Sequence, residues 1–216
     1  MAYIFLKRLI DIIGSFIALL MMSPILAVFA LLVKISSPGP IFYAPERVGR
    51  NGRIFKMLKF RSMRMYIIKG KWVHAQKYLE TNPKLKKQYQ ESSFKLKNDP
   101  RVTVIGKILR RYSVDEIPQL LNILKGDMSL VGPRAYQYDE LVHQQKVYPK
   151  TKKFVKTILK ARPGASGPWQ VSGRSFINFD KRVEMDAKYV QRKSTLYDIW
   201  IMIKTPAAMI IGTGAI

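Results

Sequence analysis

The hydrophobic pattern is dominated by one uncharged run near the N-terminus. It covers 22 residues, from Ile12 to Val33. A helix of that length is long enough to cross the roughly 30 Å hydrocarbon core of a bilayer. The run is too long for a typical signal peptide, and no clear small-residue cleavage site follows it. It therefore predicts a membrane helix.

Two features of this run favour a helix that enters one leaflet and returns to the same side. Basic residues flank the run on both sides, as is typical of cytoplasmic flanks. Ser23-Pro24 lies in its middle, where the proline removes a helical hydrogen bond and the serine hydroxyl is available to satisfy the freed group. We therefore expect residues 1–36 to form a re-entrant helix-break-helix, with a proline-kinked spanning helix as the alternative.

The remaining residues, 37–216, predict one α/β domain that is mostly helical. Apolar residues recur at helical spacing in several segments, and Gly and Pro clusters separate these segments. The expected elements are short strands around Gly49 and Gly52, surface helices within 66–98 broken near Asn82-Pro83, an amphipathic helix within 101–125, a helix within 136–160 interrupted at Pro149, an irregular loop at 161–174 and a helix at 180–192. The apolar C-terminal tail is broken at Pro206 and is expected to lie in the membrane interface. The whole pattern predicts a single membrane-associated domain.

The charge balance narrows the class of partner. The chain has 38 Lys and Arg residues against 14 Asp and Glu, which gives a formal net charge of +24. Such an excess indicates a polyanionic partner: nucleic acid, anionic lipid headgroups or phosphorylated substrates. The absence of cysteine excludes disulfides and thiolate metal sites, and the presence of only two histidines disfavours a histidine-rich zinc site.

The acidic pair Asp115-Glu116 is unusual in so basic a chain, because Arg110 lies close before it. A carboxylate near a helix start, beside backbone N–H groups and arginines, is well placed to meet a phosphoryl group. It can attack phosphorus to form an acyl phosphate, and Mg²⁺ with arginines would neutralise the repulsion between the two anions. The pair is the candidate catalytic and metal-binding group, whereas Asp139-Glu140 lacks nearby arginines and is expected to lie on a solvated helix face.

A purely structural interpretation of the same residues stays open. Ser113 with Glu116 matches a capping box, and Asp115 would then only favour the helix dipole. Pro118 opposes that register because it would fall inside the helix. A helix that starts near Asp115 leaves Pro118 in the tolerant first turn.

Further basic residues occupy positions suited to phosphate binding. Arg134, Arg162 and Arg174 lie in Gly/Pro-rich turns, in VGPR, ARPG and SGR. A guanidinium on a rigid turn is well placed to donate two hydrogen bonds to a diphosphate. Lys59 and Arg61, in KFRSM, either join the same site or form a patch that faces anionic lipid.

These segments together resemble the bacterial sugar transferase family, the monotopic phosphoglycosyl transferases. The resemblance covers nearly the whole chain and is carried by KRLIDIIGSFIALLMMSPIL, GPIFYAPERVGRNGRIFKMLKFRSM, NDPRVTVIGKILRRYSVDEIPQLLNILKGDMSLVGPR and RPGASGPWQVSGR. The chain departs from the family pattern at Ala135, at Val104 and in the GPWQ loop, and none of these departures touches the acidic pair. It also lacks the multi-spanning N-terminal region of the longer members, so we expect the minimal catalytic form.

The resemblance implies an enzyme that transfers a sugar-1-phosphate from a UDP-sugar to polyprenyl (undecaprenyl) phosphate and releases UMP. It further implies Mg²⁺, a ping-pong mechanism and a place at the cytoplasmic face of the bacterial plasma membrane, in exopolysaccharide, capsule or glycoconjugate synthesis. By motif, Asp115 is the nucleophile and Glu116 its partner. The family's phosphate- and nucleotide-binding positions fall on Lys59, Arg110, Arg134, Arg162 and Arg174, and its helix break falls on Ser23-Pro24.

The resemblance leaves the donor sugar and the assembly open. The GPWQ loop and the GTGAI tail resemble members that act on glucose or galactose, with an N-acetylated sugar as the alternative. Expected partners are the UDP-sugar, polyprenyl phosphate and an anionic phospholipid membrane, without nucleic acid, and a homo-oligomer stays open. The alternative function is a non-enzymatic basic module that binds anionic lipid or nucleic acid. That function would explain the charge and the apolar run, but not the loop arginines around one acidic pair.

Overall fold

A computed structural model describes residues 2–92, 96, 99–173 and 177–211 of the chain. The N-terminal run forms one long helix, α1, Ala2–Ser36, which is apolar and long enough to cross a membrane. Few of its side chains are buried, namely Asp11, Ser15 and Val33. The expected apolar helix is confirmed. The expected interruption at Pro24 is wrong for the secondary structure, because α1 continues through this residue.

The Ser23 hydroxyl compensates for the proline in α1. A residue at position 24 would normally donate its backbone N–H to the carbonyl of Leu20, and Pro24 has no N–H to give. The Ser23 hydroxyl instead donates to that carbonyl at 2.8 Å. The freed carbonyl is thereby satisfied on an exposed part of the helix, where no neighbouring element supplies a donor.

Short strands and helices make up the rest of the chain. The strands are β1 Phe42–Tyr43, β2 Glu46–Val48, β3 Ile54–Lys56, β4 Lys59–Phe60, β5 Met65–Ile68, β6 Lys71–His74, β7 Ser129–Val131 and β8 Gly164–Ser166. The helices after α1 are α2 Ala75–Tyr78, α3 Pro83–Glu91, α4 Val104–Arg111, α5 Gln119–Lys125, α6 Tyr138–Val147, α7 Lys152–Ile158, α8 Pro168–Val171, α9 Phe179–Arg192 and α10 Thr195–Ile211. β1 pairs with β4, β2 with β3 and β5 with β6, all antiparallel, and β7 pairs with β8 in parallel. The described chain is therefore mostly helical with small sheets, as predicted.

Several segments differ from the expected elements. β5 and β6 form a hairpin where the sequence predicts a surface helix, and Lys69 and Gly70 make its turn with positive φ angles. β8 pairs with β7 inside the segment expected to be an irregular loop, and Trp169 just after it is buried. α10 continues through Pro206, where a break is predicted. The strands around Gly49, the interruption at Pro149 and the helix at 180–192 are confirmed.

Helix α1 contacts the rest of the domain at both ends of its uncharged run. At one end, Asp11 Oδ1 accepts hydrogen bonds from the Ser129 hydroxyl and the Leu130 backbone N–H, each at 2.9 Å. At the other end, Val33 packs in a buried cluster with Phe60 and Leu109. The two ends of the run therefore rest on the same domain.

The end of α1 is tied to β4 through Arg61. This buried guanidinium donates to the carbonyl of Ser37 at 2.7 Å and to that of Val33 at 3.2 Å, and it also contacts the carbonyl of Pro38. Cationic donors suit the unpaired carbonyls at a helix C-terminus. Arg61 thus has a structural role in place of the phosphate or lipid role that its motif suggested.

The interior is divided into small clusters, and two of them include residues of the parallel pair β7–β8. One cluster joins β7 to the last two helices through Val131, Tyr189 and Ile201. The two strands approach so closely that a Cβ at Gly164 would collide with the backbone of Gly132. Glycine is therefore required there, and the loop after β7 is held beside the segment that precedes α8.

Candidate active site

The acidic pair lies in a 3₁₀ turn, Val114–Glu116, between α4 and α5. α4 is capped at its start by Thr103, whose hydroxyl accepts from the N–H of Gly106 at 2.8 Å. After α4, Ser113 takes a left-handed conformation with φ 55°, which turns the chain towards the pair. Val114 packs on the cluster of Val33, Phe60 and Leu109, so the pair sits beside the second half of α1.

The capping interpretation of this segment is wrong. Ser113 precedes the 3₁₀ turn, but its side chain makes no capping hydrogen bond. α5 begins only at Gln119, directly after Pro118, which has helical dihedral angles. The proline is therefore tolerated for the expected reason, although the helix starts later than predicted. Asp115 and Glu116 are left available for interactions outside the helix ends.

Lys59 on β4 binds both members of the pair. Its Nζ lies 2.7 Å from Glu116 Oε1 and 3.5 Å from Asp115 Oδ2. The Asp115 residue is only 6% exposed, whereas the Glu116 side chain is 37% exposed. Burial raises the pKa of Asp115, the charge of Glu116 adds to the increase, and Lys59 and Arg110 oppose it. The pair thus consists of a buried carboxyl and a more exposed one that share a single ammonium group.

Arg110 approaches the pair from the last turn of α4. Its Nε donates to the Ser62 hydroxyl at 2.9 Å, which fixes one side of the guanidinium. Its positive charge lowers the pKa of Asp115, so the two groups interact electrostatically. The structure therefore brings together the predicted residues Lys59, Arg110, Asp115 and Glu116. Ser62 is a further member of the site that the sequence analysis did not identify.

Arg134 follows β7 and lies between two aromatic rings. The centre of its guanidinium is 5.0 Å from the Trp169 ring and 5.9 Å from the Tyr136 ring. Burial lowers its pKa, but Glu140, Tyr136 and Glu116 outweigh this effect, so the pKa is raised overall. The influence of Glu116 indicates that Arg134 lies on the side of the acidic pair. Its Nε is buried without a hydrogen-bond partner among the described residues, and a buried donor of this kind is usually satisfied in proteins.

Buried charges behind Arg134 were not predicted. Asp186 on α9 accepts the backbone N–H of Arg134 at 2.9 Å and the hydroxyl of Tyr136 at 3.2 Å. Arg182, one turn earlier, lies 3.7 Å from Glu140. Glu140 is buried, so its expected place on a solvated helix face is wrong. The spacing of Arg182 and Asp186 on one helix face is the only sequence signal for this network.

The two remaining predicted phosphate-binding residues are Arg162 and Arg174. Arg162 precedes β8 and lines a cleft with Arg8, Arg50 and Asp11. Burial lowers the pKa of Arg162, and the charges of Arg8 and Arg50 lower it further. Arg174 lies outside the described residues. Arg162 thus lines the cleft at the start of α1 and has no hydrogen bond or ion pair with the acidic pair among the described residues, and the role of Arg174 stays a prediction.

The pair offers a limited donor set for a metal ion. Among the described residues, no cluster of three or more His, Cys, Asp or Glu side chains could hold one. Asp115 and Glu116 supply two hard carboxylate donors, and Mg²⁺ is commonly held by one or two carboxylates together with substrate phosphates. The residues present thus fit a magnesium ion that arrives with a phosphorylated substrate, and they do not fit a site built from protein ligands alone.

Comparison with known proteins gives consistent matches over nearly the full chain. Residues 2–212 match the family model described as bacterial sugar transferase. The exopolysaccharide production protein ExoY of Rhizobium meliloti (strain 1021) is 42% identical over 209 residues, which cover 97% of this chain and 87% of that protein.

Two longer relatives carry names that state a reaction. The undecaprenyl-phosphate galactose phosphotransferase of Salmonella typhimurium is 42% identical over 212 residues, which cover 98% of this chain and 42% of that protein. The UDP-glucose:undecaprenyl-phosphate glucose-1-phosphate transferase of Escherichia coli (strain K12) is 36% identical over 211 residues, which cover 93% of this chain and 39% of that protein. The similarity to these relatives spans less than half of their length.

Proposed function

Because the chain belongs to the bacterial sugar transferase family, we propose that it transfers a sugar-1-phosphate from a UDP-sugar to undecaprenyl phosphate and releases UMP. The names of the Salmonella and Escherichia relatives support the donor and acceptor classes, and the name of ExoY supports a role in exopolysaccharide synthesis. One observation carries the mechanism: Asp115, buried beside the apolar helix, is bound by Lys59 and faced by Arg110. This is the setting that a nucleophilic carboxylate needs to approach a diphosphate.

The proposed reaction has two steps at one phosphorus atom. In the first, an Asp115 carboxylate oxygen attacks the phosphorus that carries the sugar, a P–O bond forms, the bond to UMP breaks and UMP leaves with the electron pair. In the second, a phosphate oxygen of undecaprenyl phosphate attacks the same phosphorus and displaces the Asp115 carboxylate. Lys59 opposes the rise in the pKa of Asp115 and so favours its ionised form, and Arg110 and Arg134 are the donors proposed to bind the transferred phosphoryl group.

Mg²⁺ is the proposed cofactor, held by Asp115 and Glu116 with substrate phosphates. When bound, it would neutralise charge on the diphosphate and on the leaving UMP. Glu116 is the more exposed of the two carboxylates and is therefore the easier one for a hydrated ion to reach.

The contacts of α1 support a re-entrant topology over a spanning one. Asp11 and Val33 bracket the uncharged run, and the helical segment between them has a contour length of about 33 Å. Both contact the same domain, Asp11 through Ser129 and Val33 through Phe60. A helix that crossed the bilayer between these points would place the two contacts on opposite sides. We therefore propose that α1 enters only one leaflet, with the domain at the cytoplasmic face.

A transfer assay with an acid-to-amide variant tests the chemistry. Purified wild type and Asp115→Asn are given UDP-sugar labelled in the sugar, Mg²⁺ and undecaprenyl phosphate, and lipid-linked sugar and UMP are measured. We expect Asp115→Asn to lose at least about a thousandfold in rate, because the amide cannot act as the nucleophile. Asp139→Asn, at an exposed position on α6, is the matched control and should retain activity.

Omission of undecaprenyl phosphate then isolates the first step. Wild type should carry a labelled protein adduct and release one equivalent of UMP, and Asp115→Asn should do neither. Turnover by Asp115→Asn would rule out its role as nucleophile. Replacement of UDP-glucose by UDP-galactose or an N-acetylated donor in the same assay identifies the sugar.

The chain also suits a direct test of topology, because it has no native cysteine. Single cysteines at Lys7 and at Arg53 are labelled in sealed inverted vesicles with a membrane-impermeant maleimide. We expect both to react from the cytoplasmic face. Labelling from opposite faces would establish a spanning helix.

A further inference from the structure

A cleft lies at the start of α1, away from the acidic pair. Its volume is about 550 Å³, counted with the part open to solvent. Residues of α1 form one wall, and residues around β7 and the segment before β8 form the other. It shares no lining residue with the candidate active site. It lies at the Asp11 end of the helix, whereas the acidic pair borders the cluster that contains Val33.

The cleft is lined by many cations and few anions. Its lining includes one carboxylate, Asp11, whose Oδ1 already accepts hydrogen bonds from Ser129 and Leu130. The cations are Lys7, Arg8, Arg50, Lys160, Arg162 and Lys193. The six cations of the lining therefore outnumber its one carboxylate.

Two of the six cations have structural partners among the described residues, and four have none there. Lys7 lies 2.8 Å from Asp198, and Arg8 donates to the carbonyls of Ile123 and Leu124 at the end of α5. The other four are Arg50, Lys160, Arg162 and Lys193. Within the described part of the chain, none of these four has a carboxylate at ion-pair distance or a side-chain hydrogen bond.

The cations of the cleft repel one another. The pKa of Lys193 is lowered by burial and by the charges of Arg50 and Lys7. The pKa of Arg162 is lowered by burial and by the charges of Arg8 and Arg50. A bound anion would relieve this repulsion, because each cation would then face an opposite charge.

We propose that this cleft binds the phosphate group of an anionic membrane lipid. The positive charge of the lining favours a phosphate group as the ligand, since arginine and lysine are common donors to phosphoryl oxygens. Position selects a lipid over a soluble anion, because Ile4 in the lining is 63% exposed and Phe5 beside it is 74% exposed. These apolar side chains would meet the acyl region while the headgroup phosphate enters the cleft.

In this assignment Arg162 binds a phosphate group, as its motif predicts, but it does so in the cleft and not at the acidic pair. A lipid held here would fix the entry of α1 into the membrane at the end opposite the acidic pair. The inference goes beyond the proposed transfer reaction and does not depend on it, since neither donor nor acceptor is needed to fill the cleft.

Thermal protection by a defined lipid tests the proposal. The full chain, purified in a neutral detergent without UDP-sugar, is titrated with short-chain phosphatidic acid, with the matched phosphatidylcholine and with inorganic phosphate. The double variant Arg50→Gln/Lys193→Gln removes two lining charges. Lys84→Gln/Lys86→Gln on α3 removes the same charge at exposed positions outside the cleft and is the matched control.

We expect phosphatidic acid to raise the unfolding temperature at much lower concentration than inorganic phosphate, and phosphatidylcholine to have little effect. The apparent affinity for phosphatidic acid should fall at least about fivefold in Arg50→Gln/Lys193→Gln and stay unchanged in the control. An equal response in the two double variants would overturn the site. Equal potency of inorganic phosphate would overturn the lipid as its source. Neither outcome depends on transfer activity, so a failure here is separate from a failure of the proposed function.

Discussion

Asp186 is a buried carboxyl whose protonation we expect to control the stability of the domain. Burial raises its pKa from an ordinary 3.8 to about 7. The hydrogen bonds from the Arg134 backbone N–H and the Tyr136 hydroxyl lower the pKa, as do the charges of Arg134 and Arg182, but burial outweighs them. Between about pH 4 and about pH 7, the native protein keeps a proton that the unfolded chain has lost. The stabilisation is therefore complete below about pH 4 and is lost as the pH rises to about 7.

The size of the effect follows from the two pKa values. A rise from 3.8 to about 7 corresponds to about 4 kcal/mol of unfolding free energy, at about 1.4 kcal/mol for each pH unit. Asp186→Asn removes this titration but keeps one oxygen, and one oxygen suffices because both donors bond to Oδ2. The stability of the variant relative to wild type should therefore increase by about 4 kcal/mol between about pH 4 and about pH 7.5.

Thermal unfolding of the detergent-solubilised proteins across this pH range measures the difference. For a chain of this size, about 4 kcal/mol corresponds to a relative change in unfolding temperature of about 10 °C. All other carboxyls titrate in both proteins, so their contributions cancel in the difference between the two unfolding free energies. Asp139→Asn, on an exposed part of α6, should show no such change relative to wild type. A constant difference between Asp186→Asn and wild type over the range would refute the buried, protonated state of Asp186.

Three further substitutions probe the site and its support. Lys59→Met leaves two neighbouring carboxylates without their shared cation. Transfer activity should therefore fall at least about a hundredfold while the circular dichroism spectrum stays unchanged. Lys56→Met, at an exposed position on β3, is the control. Ser23→Ala leaves the Leu20 carbonyl without a donor, and resistance to unfolding in lipid should fall by about 1 kcal/mol in a denaturant titration. Gly106→Ala would drive a Cβ into the carbonyl of Ser62, and the unfolding temperature should drop by several degrees, unlike that of Lys107→Ala.

The central site could be predicted because its residues are close in sequence or carry a marked chemical contrast. Asp115 and Glu116 are a rare acidic pair in a basic chain, and Arg110 lies five residues before Asp115. Lys59 reaches the acidic pair because β4 packs on the 3₁₀ turn. In the sequence, only the KFRSM motif indicated that Lys59 belongs to this site. Local patterns therefore identified the reacting groups, while tertiary packing determined which basic residues reach them.

The elements that were predicted wrongly depend on contacts that the sequence does not display. β8 has three residues without an alternating pattern, and its pairing with β7 requires the close approach of Gly132 and Gly164. Pro24 indicates a helix break only if its neighbour fails to replace the missing hydrogen bond, and Ser23 does replace it. Arg162 was grouped with the acidic pair by its turn motif, whereas the start of α1 draws it into a separate cleft.

The charges around the acidic pair explain why a cation should accompany the substrate. The formal charge of the site is +1, because it contains three cations, Lys59, Arg110 and Arg134, and two carboxylates, Asp115 and Glu116. The diphosphate of a UDP-sugar carries two negative charges, so the loaded site would be negative without a metal ion and positive with a divalent one. A nucleophilic carboxylate approaches phosphorus more easily in the second case, because repulsion between the anions is offset. Chelation of Mg²⁺ with EDTA should therefore abolish transfer while protection by phosphatidic acid at the distant cleft persists. Transfer that survives chelation would show that the three cations suffice alone.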